Sequence, residues 1–286
     1  MNRAYKKIAI LAAASLCLLS GCGQSKGNSS GRNAEGLKEL GAIQVVSREE
    51  GSGTGSTFAE LADFPSDLTT EDALIKDNAK EVIQAVSSDR SAIGYVSQAA
   101  LSGDENVKVL NVEGRSPEEN EKYPLSRDFY LAYSGSLSDL ELDFLTYIHG
   151  AGQEIVGKDY DTIAKSSSFL SNRAKGSITI EGSTSVAPLM EQLAEGYEEI
   201  NPNATITVTA TDSTLGLTQT MAGKCDFGMS SRTLKDYEKE LLDYEIIARD
   251  KIVVIAEKEN PLDDISLDEL KQIYTGEIKN WNELNQ

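Results

Sequence analysis

Runs of β-branched and apolar residues alternate with helix-periodic segments along most of the chain. That alternation constrains the fold more than any single motif. The strand-like runs are Ala92–Gln98, Val107–Val112, Phe129–Ser134, Ser177–Gly182, Ala204–Thr211, Cys225–Ser230 and Asp250–Glu257. Pro188–Ile200, Leu215–Gly223 and Ser266–Gly276 read as helices, the first with a proline near its start. Such a pattern predicts an α/β chain of open sheets flanked by helices, with ligands at the carboxyl ends of the strands.

Four strand ends share one chemistry. "AIQVV", Ala42 to Val46, reads as a short buried strand. "REEGSGTGSTF", Arg48 to Phe58, follows it, and "STFAELAD" then carries Phe58 and Leu61 at helical spacing. At such a junction the first N–H groups of the helix are unpaired and its dipole is positive, so an anion can settle there. "GSGTGST" lacks the lysine of a nucleotide P-loop. The same hydroxyl-rich turn recurs at Ser183–Thr184–Ser185, at Ser213–Thr214 and at Ser230–Ser231, where Arg232 follows as a second cation or a solvent-facing one. Each turn alone also reads as a helix N-cap. Four of them on four strand ends point to an anion.

The N-terminus sets the compartment. Arg3, Lys6 and Lys7 precede "IAILAAASLCLL", an apolar core too short for a dedicated membrane span, and "LSGC" ends at Cys22. Residues 1–21 thus read as a lipoprotein signal peptide, Cys22 as the lipidated residue and residues 22–36 as a flexible Gly/Ser tether. Cys17 leaves with the signal and Cys22 is consumed by lipid, so Cys225 stands alone and the mature chain forms no internal disulfide. The one histidine, His149, reads as an ordinary residue near a helix end; neither a metal site nor a Ser–His–Asp triad is expected. Removing residues 1–21 takes away three cations and no acid, so the formal charge of −19 becomes −22. That excludes nucleic acid as a partner, because nucleic acid needs a basic face. Any anion must be held locally, against the field of the whole molecule.

The blocks "IQVVSREEGSGTGSTF", "AIGYVSQ", "YPLSRDFYLAY", "ITIEGSTSVAPLMEQLAEGYEEINP", "GMSSRTLKDYE" and "IYTGEIKNW" resemble successive motifs of the phosphate-binding lipoproteins that feed ABC phosphate importers. The resemblance covers most of residues 43–286. It implies a two-lobed fold of the periplasmic-binding-protein type (type II). Function would be non-catalytic capture of inorganic phosphate for the permease subunits and ATPase of an importer. The protein would be a cofactor-free monomer, lipid-anchored to the outer face of the cytoplasmic membrane. In that family the "GSTS" half comes first and the "REEGSGT" half follows "IKNW"; here the order is reversed, as in a circular permutant. The competing account is a truncated tandem duplicate. Permutation would join the old ends through Ala164–Ser177, since termini of compact proteins lie at the surface and often close together. One lobe would then comprise 37–112 and 257–286, and the other 113–256.

Carried over residue by residue, the resemblance gives Arg48, Ser52, Gly53, Thr54, Thr184, Ser185, Ser213 and Ser231 as phosphate ligands, with Glu50 orienting Arg48. Arg48, a planar two-pronged donor, is expected to be the one obligatory cation. Many relatives carry an aspartate where Ser231 stands, which accepts the proton of phosphate and repels sulfate; a hydroxyl can donate or accept but cannot repel by charge. Two other classes compete. A serine-dependent phosphatase or hydrolase would need a partner base, and "GSGTG" is not a nucleophile elbow. A surface sensing or signalling protein would keep the fold and lose the transport role.

Overall fold

One strand of 15 residues, Asp243–Glu257, runs through both halves of the molecule and organises everything else. The computed structural model describes residues 34–103, 106–118 and 123–285. Residues 1–21, Cys22 and most of the expected tether lie outside that range, as does Gln286; the tether's last three residues already belong to a helix. In chain order the elements are α1 (Ala34–Leu40), β1 (Gln44–Arg48), α2 (Gly53–Leu61), β2 (Leu74–Lys76), α3 (Ala79–Ser87), β3 (Ala92–Ser97), β4 (Val107–Val109), β5 (Asn111–Val112), β6 (Ser126–Tyr133) and α4 (Asp139–His149). Then come α5 (Gln153–Asp159), β7 (Gly176–Ser183), α6 (Ala187–Ile200), β8 (Ala204–Thr211), α7 (Ser213–Met221), β9 (Phe227–Ser230), α8 (Asp236–Leu241), β10 (Asp243–Glu257), β11 (Asp264–Ile265) and α9 (Leu267–Tyr274).

Among the described residues the main ladder runs β2-β1-β3-β10-β6-β9-β7-β8, with β4 also on β10. β1 is parallel to β2 and β3, and β7 is parallel to β8 and β9, as strand–helix–strand units require. β10 is antiparallel to β3 through Ile252–Ala256 and to β6 through Asp243–Lys251. It thus pairs in one half with its last residues and in the other with its first. Two apolar cores sit on either side of that change. One gathers Leu37, Val45, Phe58, Tyr95, Leu125, Val254, Ile273 and Trp281; the other gathers Phe129, Phe144, Ile180, Leu193, Tyr197, Phe227 and Ile247. The α/β, two-lobed expectation holds.

Two features set the ends and the joining segment. Ile43 N–H donates to the Lys279 carbonyl at 2.8 Å, Trp281 N–H donates to the Gly41 carbonyl at 3.0 Å, and Trp281 is fully buried. "IKNW" therefore packs beside the strand that leads to "REEGSGT". Between α5 and β7, Asp143 of α4 accepts from Ser171 Oγ at 2.7 Å, Tyr197 Oη at 2.8 Å and Asn172 N–H at 3.1 Å. Three donors satisfy this buried carboxylate, and two of them pin the segment that crosses from α5 to β7.

Candidate anion-binding site

Arg48 is the last residue of β1, and the chain turns at once into α2. That helix starts at Gly53, earlier than the apolar spacing of Phe58 and Leu61 suggests, so the glycine-rich loop is the helix's own first turn. Ser52 caps it by accepting from Gly55 N–H at 3.2 Å. Phe58 stacks on Tyr95 of β3 with ring centroids 3.9 Å apart, which fixes α2 against the sheet. Tyr95 also reaches the Ser47 hydroxyl and accepts from Arg48 N–H, and burial pushes its phenol up against the pull of those bonds. Arg48 itself is only 7% exposed. Its Nε and Nη2 grip both oxygens of Glu49 at 2.9 Å, and they also donate to the carbonyls of Lys76 and Asp77. Nη2 reaches across to Thr184 Oγ1 at 3.2 Å. The N–H groups of Nη1 make no hydrogen bond among the described residues.

The other half meets this loop with three strand ends. Ser183 ends β7, and Thr184 and Ser185 lead into α6. Asp212 caps α7 by accepting from Leu215 N–H at 2.8 Å, which leaves Ser213 as its first residue. Gly216 brings α7 down onto β7: a Cβ there would stand 2.5 Å from Gly182 Cα, so only glycine allows that approach. Ser231 follows β9. Across the gap, the hydroxyls of Thr54 and Ser185 lie 2.7 Å apart, and Thr57 Oγ1 donates to the Ser231 carbonyl at 3.1 Å. Ser183 Oγ meets Ser231 Oγ at 2.8 Å, and Ser231 N–H donates to Ser213 Oγ at 3.2 Å. Gly53 lies against both of those hydroxyls: a Cβ there would come within 2.2 Å of Ser213 Oγ and 2.5 Å of Ser231 Oγ.

Arg48, Glu49, Ser52, Gly53, Thr54, Ser183, Thr184, Asp212 and Ser213 line one small gap between the halves, too tight to admit a water molecule. It is far smaller than the roughly 300–1,000 Å³ of a pocket for a drug-sized molecule, and an ion of a few atoms can enter only if the surrounding hydroxyls part. The starts of α2, α6 and α7 converge on it, and each brings unpaired N–H groups and the positive end of a dipole. All eight residues expected to be ligands stand at or beside this space, from both halves.

A family model of a PBP superfamily domain matches residues 167–286. Over 98% of this chain and 99% of its own length, the phosphate-binding protein PstS 2 of Streptococcus pneumoniae is 34% identical. The chain belongs to the PstS family. The crystal structure of a phosphate-binding protein of a phosphate ABC transporter from the same organism is 34% identical to this PstS chain, with a TM-score of 0.70; the match covers 85% of this chain and 99% of that one. The Bacillus subtilis PstS aligns differently: 42% identity is confined to 119 residues, 39% of this chain and 38% of the relative.

The structure changes three expectations about this PstS site. The carboxylate that holds Arg48 is Glu49; Glu50 sits exposed on the turn, because β1 stays extended through Arg48 and places the next residue, not the one after, beside the guanidinium. Arg232 neither faces solvent nor enters the cleft. It is 4% exposed and locked bidentate to Glu238, with both bonds at 2.8 Å. Arg48 is not the only buried cation nearby, for Arg127 donates to Thr54 Oγ1 at 2.7 Å and pairs with Asp250. Burial raises the Asp250 carboxyl and lowers the Arg127 guanidinium, and each charge holds the other ionised. Ser183 and Asp212, which also line the space, went unassigned in the sequence. An arginine opening the strand-like "RDFYLAY" was the available signal for Arg127.

Proposed function

We propose that this PstS-family protein captures inorganic phosphate between its two halves, outside the cytoplasm, and delivers it to the permease subunits and ATPase of an ABC importer without catalysis. The observation that carries this reading is the convergence of three helix starts and the Arg48 guanidinium on one small gap between the halves. A tetrahedral oxyanion needs that many convergent donors and no bulk. The similar proteins of Streptococcus pneumoniae are named for the same ligand. Ser52, the nucleophile of a hydrolase reading, uses its oxygen to cap α2, and His149 ends α4 beside Glu245, at 3.8 Å. Ser231 cannot repel sulfate, but the carboxylates of Glu49 and Asp212 line the same space and favour an anion that brings a proton. Calorimetric titration of residues 23–286 with phosphate, sulfate and molybdate tests the reading. Phosphate should bind tightest; no heat with phosphate would sink it.

Lipidation at Cys22 and anchoring to the outer face of the cytoplasmic membrane complete the proposal, on the strength of "LSGC". Among the described residues no helix is long and apolar enough to cross the membrane. Cys22→Ala should release the protein from the membrane fraction or leave an uncleaved precursor. The domains are read as a discontinuous lobe of 37–112 plus 257–286 and a continuous lobe of 113–256, in circularly permuted order. End-to-end alignment with PstS 2 beside a partial alignment with the Bacillus subtilis PstS supports that order, as does the pairing of Ile43 with Lys279.

A further inference from the structure

Arg127, the second residue of β6, lies directly opposite Asp250 of β10, at the place where β10 passes from one half to the other. Their side chains are 2% and 1% exposed. Nε and Nη2 donate to one oxygen of Asp250 at 2.9 and 2.7 Å, and Ser97 Oγ of β3 donates to the other at 2.9 Å. The third arm, Nη1, leaves the pair: it donates to Thr54 Oγ1 at 2.7 Å and lies 3.4 Å from the Ser231 carbonyl. The Phe129 ring closes one face at 5.1 Å. Removing two charges from water is costly, and an apolar substitute of similar volume is often as stable. Stability alone therefore does not account for a fork aimed at a ligand residue.

We propose that Arg127 is a positioning residue of the anion site: it occupies one acceptor position of the Thr54 hydroxyl, keeps that hydroxyl's proton free for the anion, and ties it to the strand crossing through Asp250. A guanidinium has no acceptor. Thr54 Oγ1 must therefore accept from Nη1, and its single proton points away from Arg127. Ser185 Oγ of the opposite half lies 2.7 Å off and shares a hydrogen bond with it. Accepting from Nη1 uses one lone pair of the hydroxyl and leaves its proton free to donate, which suits an anion that offers only acceptors. Because Nη1 also lies near the Ser231 carbonyl, one guanidinium touches a ligand residue of each half while its other arms hold the crossing.

The proposal rests on the phosphate reading, and the test separates the two. Phosphate affinity is measured by calorimetry for the parent, Arg127→Met, Thr54→Ala and the double variant, with folding checked by circular dichroism. Arg127→Met should weaken phosphate binding about tenfold or more. In the Thr54→Ala background the same change should cost at least about threefold less, because contacting residues couple. A merely structural arginine would lower the melting temperature and give equal losses in both backgrounds, which overturns the proposal. So does Arg127→Met binding like the parent. Should Arg127→Met fail to fold, Arg127→Lys replaces it in both backgrounds: it keeps the charge beside Asp250 but cannot serve Asp250 and Thr54 together, so its loss should show the same dependence on Thr54. A parent that binds no phosphate overturns the phosphate reading and this one with it; a parent that binds while the variants show no coupling overturns this one alone.

Discussion

Arg48 is held on three sides and leaves one pair of donors for the cleft. Losing a buried charged partner commonly costs about 2–5 kcal/mol, so Arg48→Ala should weaken phosphate binding about 30-fold or more in a calorimetric titration. Arg48→Lys should not restore it, since a point charge cannot grip Glu49 and an oxyanion as a fork does. Binding at the parent's affinity would mean that the ligand sits elsewhere. Gly53 gives the opposite kind of test. Its missing side chain is what lets the loop touch Ser213 and Ser231, and a methyl there would drive both hydroxyls away. Overpacking of this sort costs about 1–3 kcal/mol. Gly53→Ala should therefore reduce affinity by roughly five- to 100-fold while circular dichroism shows the fold intact. These residues were legible in the sequence because oxyanion chemistry demands them: a planar cation, small residues and hydroxyls at helix starts. Glu49 was not, since choosing between two adjacent glutamates depends on how far the strand stays extended.

At the level of elements, the joint between β9 and α8 has its own fastening. Glu238 is 1% exposed and accepts both arms of Arg232, together with Lys235 N–H at 2.7 Å. Burial alone would raise its carboxyl; the Arg232 and Lys235 bonds outweigh burial and hold it below the usual range. The unfolded chain then takes up the proton first as acid is added. Stability from this group is present above the ordinary glutamate pKa of about 4.3 and is lost as pH falls below it. A plot of melting temperature against pH between 3 and 6 should be less steep for Glu238→Gln than for the parent; equal slopes would remove Glu238 from the account. Neither this pair nor Arg127–Asp250 could be read from the chain. Arg127 and Asp250 meet only through the register of β6 on β10, and periodicity carries no long-range register. β10 itself was half visible. Asp250–Glu257 is a continuous buried run, whereas the first residues, Asp243–Glu245, are exposed and largely charged, and they extend the strand only because β6 pairs with them.

For the whole molecule, the close approach of Ile43 to Lys279 makes the order of the halves testable. Joining Asn285 to Ala34 with a short Gly/Ser linker, which keeps α1 and Leu37, and opening the chain at Lys165–Ser168 restores the other order and leaves the Ser171 and Asn172 bonds to Asp143 intact. That protein should be monomeric and bind phosphate within about threefold of the parent, a difference under 1 kcal/mol. Exchanged dimers in sizing chromatography would favour the truncated-duplicate account. The closed contacts at the site also set a clock. Arg48 reaches Thr184, and Thr54 reaches Ser185, across the gap proposed for the ligand. A bound ion can leave no faster than those contacts part, so release becomes a first-order step of the protein, indifferent to how much competing anion surrounds it. On the proposed reading a receiving importer would have to prise the halves apart, and the dwell time of the cargo would be a property of the hydroxyl seam.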